Sequence, residues 1–249
     1  MTNQLFINNE FVESTSEETL DVINPATGET IDTITFATEE EVNDAIDKSK
    51  RAQLEWEKIP APTRAERAKS LIPLLKQHKD DIAHLYVKEQ GKIIAQAKGE
   101  IDKAIEYIDY MASLSMSNKG EVLQNTIVNE TIQLTKKPIG VTAGIVPWNA
   151  PILVLMRKVI PAIVTGCSVV IKPSEETTLL TLKIAELFRD STIPAGLIQI
   201  VPGTGETVGT QLATHKDIQL VSLTGSMGAG KAVFKNAAKK KKKLNLELG

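Results

Sequence analysis

Two hydrophobic periods divide this chain. Between residues 38 and 117 apolar side chains recur every three or four positions, as on helices that bury one face. Thr38 to Trp56 is the best-marked segment. Thr38 and Glu41 have capping-box spacing, and Val42, Ala45, Ile46, Ser49, Ala52 and Trp56 share one face. A second helical pattern runs from Thr63 to Gln90 through Ala68, Leu71, Ile72, Leu75, Ile82, Leu85 and Tyr86. Pro73 should kink or split it, and Gly91 should stop it. A third, from about Ile94 to Ser117, presents Ile101, Ile105, Ile108 and Ala112. Ahead of these helices, Leu5 to Phe11 and Asp21 to Asn24 read as short strands, with a turn at Asn24 to Gly28.

After residue 140 short β-rich runs alternate with amphipathic helices. Strands are predicted at Val141 to Val146, Ser168 to Ile171, Leu197 to Val201, Ile218 to Thr224 and Leu244 to Leu248. Helices are predicted between the first two of these strands and at Thr178 to Asp190, Glu206 to Thr214 and Gly228 to Ala238. Repeated βα units of this length imply an α/β fold, a Rossmann-like parallel sheet with helices on both faces. Glu121 to Lys137 differs in character. Val122, Leu123, Ile127 and Val128 precede the alternating run Thr131 to Thr135, with a turn signal at Asn129-Glu130, so a projecting β-hairpin is expected.

The turns after the strands hold the candidate chemistry. Val201 to Gly209 leaves a strand and opens a helix with glycines at 203, 205 and 209. Glycines there let a pyrophosphate approach the backbone and the helix N-terminal amides, although the last spacing is one residue longer than Gly-x-Gly-x-x-Gly. A tight turn that binds nothing is the competing reading. Thr224 to Gly230 repeats the arrangement and adds the Ser226 hydroxyl. Lys172 and Glu175 close another strand, where a carboxylate can accept ribose hydroxyls and repel a 2′-phosphate; a solvated pair capping the next helix is the plainer account. Asn149, between Pro147 and Pro151, suits the head of an Asx turn.

Composition narrows the class without naming a ligand. With 42% hydrophobic and 24% charged residues and a net charge of -2, the chain has an ordinary globular balance and no overall nucleic-acid footprint. The most apolar stretch, Pro151 to Ile171, is broken by Arg157, Lys158, Pro161 and Gly166 and is too short to span a membrane. No secretory signal opens the chain, so a cytoplasmic location is the default expectation. Cys167 is the single cysteine; at the entrance to an apolar strand it reads as a small buried hydrophobe. His78 and His84 read as partly exposed helix residues, and no metal-ligand spacing is present. Lys239 to Lys243 would suit a phosphate-rich partner, but a solvated helix end is expected and nucleic-acid binding is not.

Four motifs in one order carry a resemblance. Pro147-Trp148-Asn149, Lys172-Pro173-Ser174-Glu175, Leu223-Thr224-Gly225-Ser226 and Leu246-Glu247-Leu248-Gly249 resemble those of the NAD(P)-dependent aldehyde dehydrogenase superfamily, over its front half. The motif set is closest to types acting on lactaldehyde or glycolaldehyde. The resemblance implies that residues 1–118 and 138–249 form an NAD-binding domain and that 119–137 is an oligomerisation hairpin joining a homo-oligomer. It implies NAD contacts from Ile145, Val146, Pro147, Trp148, Lys172, Ser174, Glu175, Gly205, Gly209, Gly225 and Ser226. It also implies catalytic roles for Asn149, as oxyanion donor, and Glu247, as general base. The implied reaction is oxidation of an aldehyde to a carboxylic acid by a cysteine that, in the family, lies beyond the Leu-Glu-Leu-Gly motif. This chain is accordingly expected to be inactive alone; the alternative is a non-catalytic dinucleotide-binding or interaction fragment.

Overall fold

The computed structural model describes residues 4–117, 119–125, 127 and 129–249. Val128, expected ahead of the second hairpin strand, lies outside the described residues, as do residues 1–3 and 118 at the ends of the first expected segment. The predicted strand Leu5 to Phe11 is a hairpin, β1 (Gln4–Ile7) and β2 (Glu10–Glu13). Asn8 and Asn9 turn it with positive φ, a conformation that asparagine tolerates better than most residues. A separate ribbon follows, β3 (Thr19–Ile23) with β4 (Thr30–Thr35). The β-branched run of β4 is not among the predicted strands.

Helix α1 (Glu39–Trp56) begins at the predicted capping box: the Glu41 amide donates to Thr38 Oγ1 at 3.3 Å, and the Thr38 amide to Glu41 Oε2 at 2.8 Å. The second helical pattern is three helices, α2 (Ala61–Lys69), α3 (Leu71–Gln77) and α4 (Lys79–Gln90). The chain breaks at Ser70, not at Pro73, which sits in the first turn of α3 where its missing N–H costs no helical bond. Gly91 ends α4 with φ 77°. Helix α5 (Ile94–Ser113) follows, tightening to a 3₁₀ turn at Leu114–Ser117. Strands β5 (Glu121–Gln124) and β6 (Thr131–Leu134) then pair, among the described residues, only with each other, forming the projecting hairpin.

The remaining elements alternate: β7 (Val141–Ile145), α6 (Pro151–Thr165), β8 (Ser168–Lys172), α7 (Thr178–Asp190), β9 (Ile198–Ile200), α8 (Thr210–Thr214), β10 (Ile218–Gly225), α9 (Met227–Ala238) and β11 (Lys243–Leu248). The main sheet runs β11-β10-β7-β8-β9-β1-β2. The first five strands in that order are parallel, as predicted, whereas β1 and β2 extend the edge antiparallel. Both faces are covered. One core packs α2 to α7 against the sheet, and the other packs α1, α8 and α9 on the opposite face.

Strand order also locates the crevice. From β7 the chain crosses to β8 and β9 on one side, then returns to β10 and β11 on the other, so direction reverses between β7 and β10. Open α/β sheets bind ligands outside the carboxyl ends of the strands at such a reversal. The five lysines do not form the last helical turn. Helix α9 stops at Ala238, Lys241 turns with φ 54°, and Lys243 already belongs to β11. Lys242 is half-buried and donates to the carbonyls of His215 and Ile218, so the run is a built turn between helix and strand.

Candidate functional site

Four turns at the strand ends meet at the reversal. After β7, the Val146 amide donates to the Lys172 carbonyl at 3.0 Å, which ties the Pro147–Trp148–Asn149 turn to the end of β8. After β8, the Ser174 side chain accepts the Glu176 amide at 3.4 Å and holds Glu175 at the rim. After β9, Thr204 caps the next segment, accepting the Thr207 amide at 3.1 Å. The predicted helix there is a single π turn, Gly205–Gly209, followed by the short α8. After β10, Ser226 caps α9 and accepts the Ala229 amide at 3.2 Å.

These turns enclose a cleft of about 500 Å³. Its walls include Ile145, Val146, Pro147, Trp148, Lys172, Ser174, Glu175, Gly205, Gly209, Gly225 and Ser226, every one of the positions proposed as cofactor contacts. Asn149 and Glu247 line an adjoining recess of about 410 Å³, reached past Trp148, Gly225 and Ser226. Both are exposed, Glu247 on the edge strand β11. The Asn149 side-chain amide has no hydrogen-bond partner among the described residues, so the Asx-turn alternative is not what the residue does.

The glycines of these turns divide by what a side chain would meet. At Gly203 a Cβ would come within 2.3 Å of Val208 Cγ2, so packing of the turn excludes one. At Gly205 it would meet nothing within 4 Å, and at Gly225 nothing closer than 3.9 Å; neither residue has a positive φ. Protein packing and backbone strain leave these two positions unconstrained. At both the cleft wall is bare backbone, without a side chain.

Lys172 is buried, unlike the solvated lysine of the plainer account. Its ammonium donates to the Pro173 carbonyl at 2.7 Å and to Glu175 Oε2 at 3.2 Å. Burial holds its pKa below the usual lysine value, opposed by the neighbouring Glu175. Lys158, noted in the sequence only as a charge interrupting an apolar run, is a buried residue of α6 that donates to Ser222 Oγ at 2.8 Å. Burial pushes its pKa down to about 8, against the pull of Glu247 and with the repulsion of Arg157. Lys158, Tyr107, Asn245 and Glu247 share a further recess.

Sequence reasoning also missed one wall of the cleft. Ala229, Ala232, Val233 and Asn236 of α9 face it, a small-residue helical face ending in an amide, visible as i, i+3, i+4, i+7 spacing. Cys167 is buried at the entrance of β8, whereas the cleft lies at the other end of that strand, about 16 Å away at roughly 3.3 Å per residue. Among the described residues no group of His, Cys, Asp and Glu suits a metal ion, and no helix is long and apolar enough to cross a membrane.

A reversal-point cleft bounded by glycine turns, with an amide and a carboxylate beside it, defines a Rossmann-type dinucleotide-site architecture. The chain belongs to the aldehyde dehydrogenase family, whose model matches residues 11–249. It is 39% identical to lactaldehyde dehydrogenase of Escherichia coli (strain K12), over 98% of this chain and 51% of that protein. It is 36% identical to the NADP(+) succinate-semialdehyde dehydrogenase of the same strain, over 99% of this chain and 51% of that protein. Among solved structures, 3,6-anhydro-L-galactose dehydrogenase in complex with NAP superposes with a TM-score of 0.97 at 34% identity, covering all of this chain and 52% of that one. Betaine aldehyde dehydrogenase from Staphylococcus aureus in complex with NAD+ gives 0.95 at 35% identity, with all of this chain and 51% of that one covered. The chain thus spans about half the length of the relatives it matches.

Proposed function

We propose that this chain is the coenzyme-binding half of an NAD-dependent enzyme that oxidises an aldehyde to a carboxylic acid. The observation that carries the reading is the pair of glycines, Gly205 and Gly225, left open toward one cleft from two different turns. When bound there, the dinucleotide supplies the hydride acceptor for the oxidation. The chain's own residues do the holding. The α9 N-terminus at Ser226 presents amides and a hydroxyl to the diphosphate. Glu175 accepts the ribose hydroxyls, with Lys172 beside it. Trp148 marks the end nearest Asn149 and Glu247. Asn149 donates its free amide to the oxyanion that forms on the aldehyde oxygen as a cysteine thiolate adds to the carbonyl carbon, and Glu247 takes a proton from the water that hydrolyses the resulting thioester to the acid. Cys167, buried at the far end of β8, is not the nucleophile of this chemistry.

Lactaldehyde and similar small hydroxyaldehydes are the proposed substrate class, on the similarity to lactaldehyde dehydrogenase. Glu175 decides between the two cofactors. Glu175→Ala should weaken NAD binding by about tenfold, the worth of one charge-assisted hydrogen bond, and should weaken NADP less or improve it because a repulsion is removed. Equal loss for both cofactors, read by calorimetric titration, would remove Glu175 from the ribose site.

The hairpin is proposed to join copies of this chain. It pairs with no other strand of the described residues and exposes Val122, Leu123, Ile127, Ile132 and Leu134, an apolar ribbon with an unpaired edge. Sedimentation velocity should show an oligomer that a Val122→Lys/Ile132→Lys variant dissociates. A monomeric parent at micromolar concentration would contradict it.

A further inference from the structure

Asn149 is held by its backbone while its side chain is left free. Its carbonyl accepts from Lys92 Nζ at 2.8 Å and lies 3.5 Å from Gln90 Nε2, which also donates to the Trp148 carbonyl at 3.2 Å. The Tyr86 hydroxyl is 3.3 Å from the same carbonyl, but its single proton goes to Glu100 Oε2 at 2.8 Å. An ammonium has three protons. At Lys92 each has its own acceptor: the Tyr86 hydroxyl at 2.5 Å, Glu100 Oε2 at 2.8 Å and the Asn149 carbonyl at 2.8 Å. The ammonium also sits 4.5 Å from the centre of the Tyr86 ring. The other Glu100 oxygen accepts the amides of Ile152 and Leu153, so the anchor for Lys92 is fixed on the helix that Asn149 precedes.

We propose that Lys92 is a positioning residue for Asn149, its three ammonium protons pinning the Trp148–Asn149 turn to Glu100 and Tyr86 so that the Asn149 amide faces the recess beside the cleft. The catalytic consequence rests on the reading of Asn149 as oxyanion donor. The rigidity of the turn does not, and it can be measured in this chain directly.

Trp148 is 54% exposed and Trp56 only 2%, so acrylamide quenching of tryptophan emission reports on the turn. Lys92→Met keeps the stem and removes the protons. It should raise the quenching constant about twofold, because a turn released from its anchor opens on a faster timescale, while far-UV circular dichroism stays unchanged. Lys92→Arg restores the charge but, as a planar fork, cannot meet three converging acceptors. It should recover thermal stability without recovering the parent's quenching. A quenching constant in Lys92→Met equal to the parent's, or full recovery of both readouts by arginine, would overturn the positioning role. If Lys92→Met does not fold, Gln90→Ala removes the second donor to the same turn, and unchanged quenching there would overturn it equally. Failure of the dinucleotide reading would appear elsewhere, as absence of NAD binding by the parent.

Discussion

Glu100→Ala is expected to lower the unfolding free energy by about 3–5 kcal/mol, the usual cost of removing one member of a buried ion pair. Glu100 is 7% exposed and has both oxygens occupied. One takes the Lys92 ammonium and the Tyr86 hydroxyl, the other the first free amides of α6. Alanine leaves a half-buried cation, a buried phenol and two helix N-terminal amides without their acceptor. Such a loss is about a fifth or more of the stability of a typical domain, so the variant should be much closer to unfolding. Glu100→Gln retains one acceptor oxygen and should lose less. Urea unfolding measures both; a loss under about 1 kcal/mol for alanine would show that water takes over the carboxylate's role.

Glu89→Ala is the second large effect, and its sign depends on pH in a defined way. Glu89 of α4 does for α7 what Glu100 does for α6: its oxygens accept the amides of Leu179 and Leu180, each at 2.7 Å. Burial pushes its pKa up to about 8, while those two amides pull it down. A carboxyl whose folded pKa exceeds its ordinary 4.5 binds its proton more tightly in the folded state. Its contribution is therefore complete below pH 4.5 and is lost as pH rises through 8. The cost of Glu89→Ala should be about 2–4 kcal/mol at pH 5, from two orphaned amides and a cavity, and should shrink toward pH 9. Unfolding curves at the two pH values test this. A gap that widens with pH would mean that the amides and the helix dipole hold the carboxylate form.

These two glutamates show where reading the sequence stops. The capping box at Thr38, the stop at Gly91 and the alternation after residue 140 are local patterns, and the structure reproduces them because local energy and packing agree there. The turn residues of the cleft were legible for a related reason: glycine, proline and asparagine after a strand leave few conformations to choose from. Glu89 and Glu100 lie on helical patterns among other charged residues, and nothing near them in sequence marks burial. Their partners are 90 and 52 positions away. Lys158 is hidden in the same manner, since only the packing of α6 on the sheet buries it beside Ser222. The break falls at Ser70 and not at Pro73 because proline is tolerated in a first helical turn, a position that sequence does not distinguish from a helix interior. The inward turn of Lys242 is not legible either, since a charge run gives no sign of which member caps carbonyls.

Binding of NAD in the cleft at the sheet's reversal is measured by calorimetric titration of the 249-residue chain. Saturable binding at one site is expected, accompanied by a change in Trp148 emission, because that side chain lines the cleft. A soluble chain that unfolds cooperatively yet gives no binding heat and no Trp148 response would contradict it.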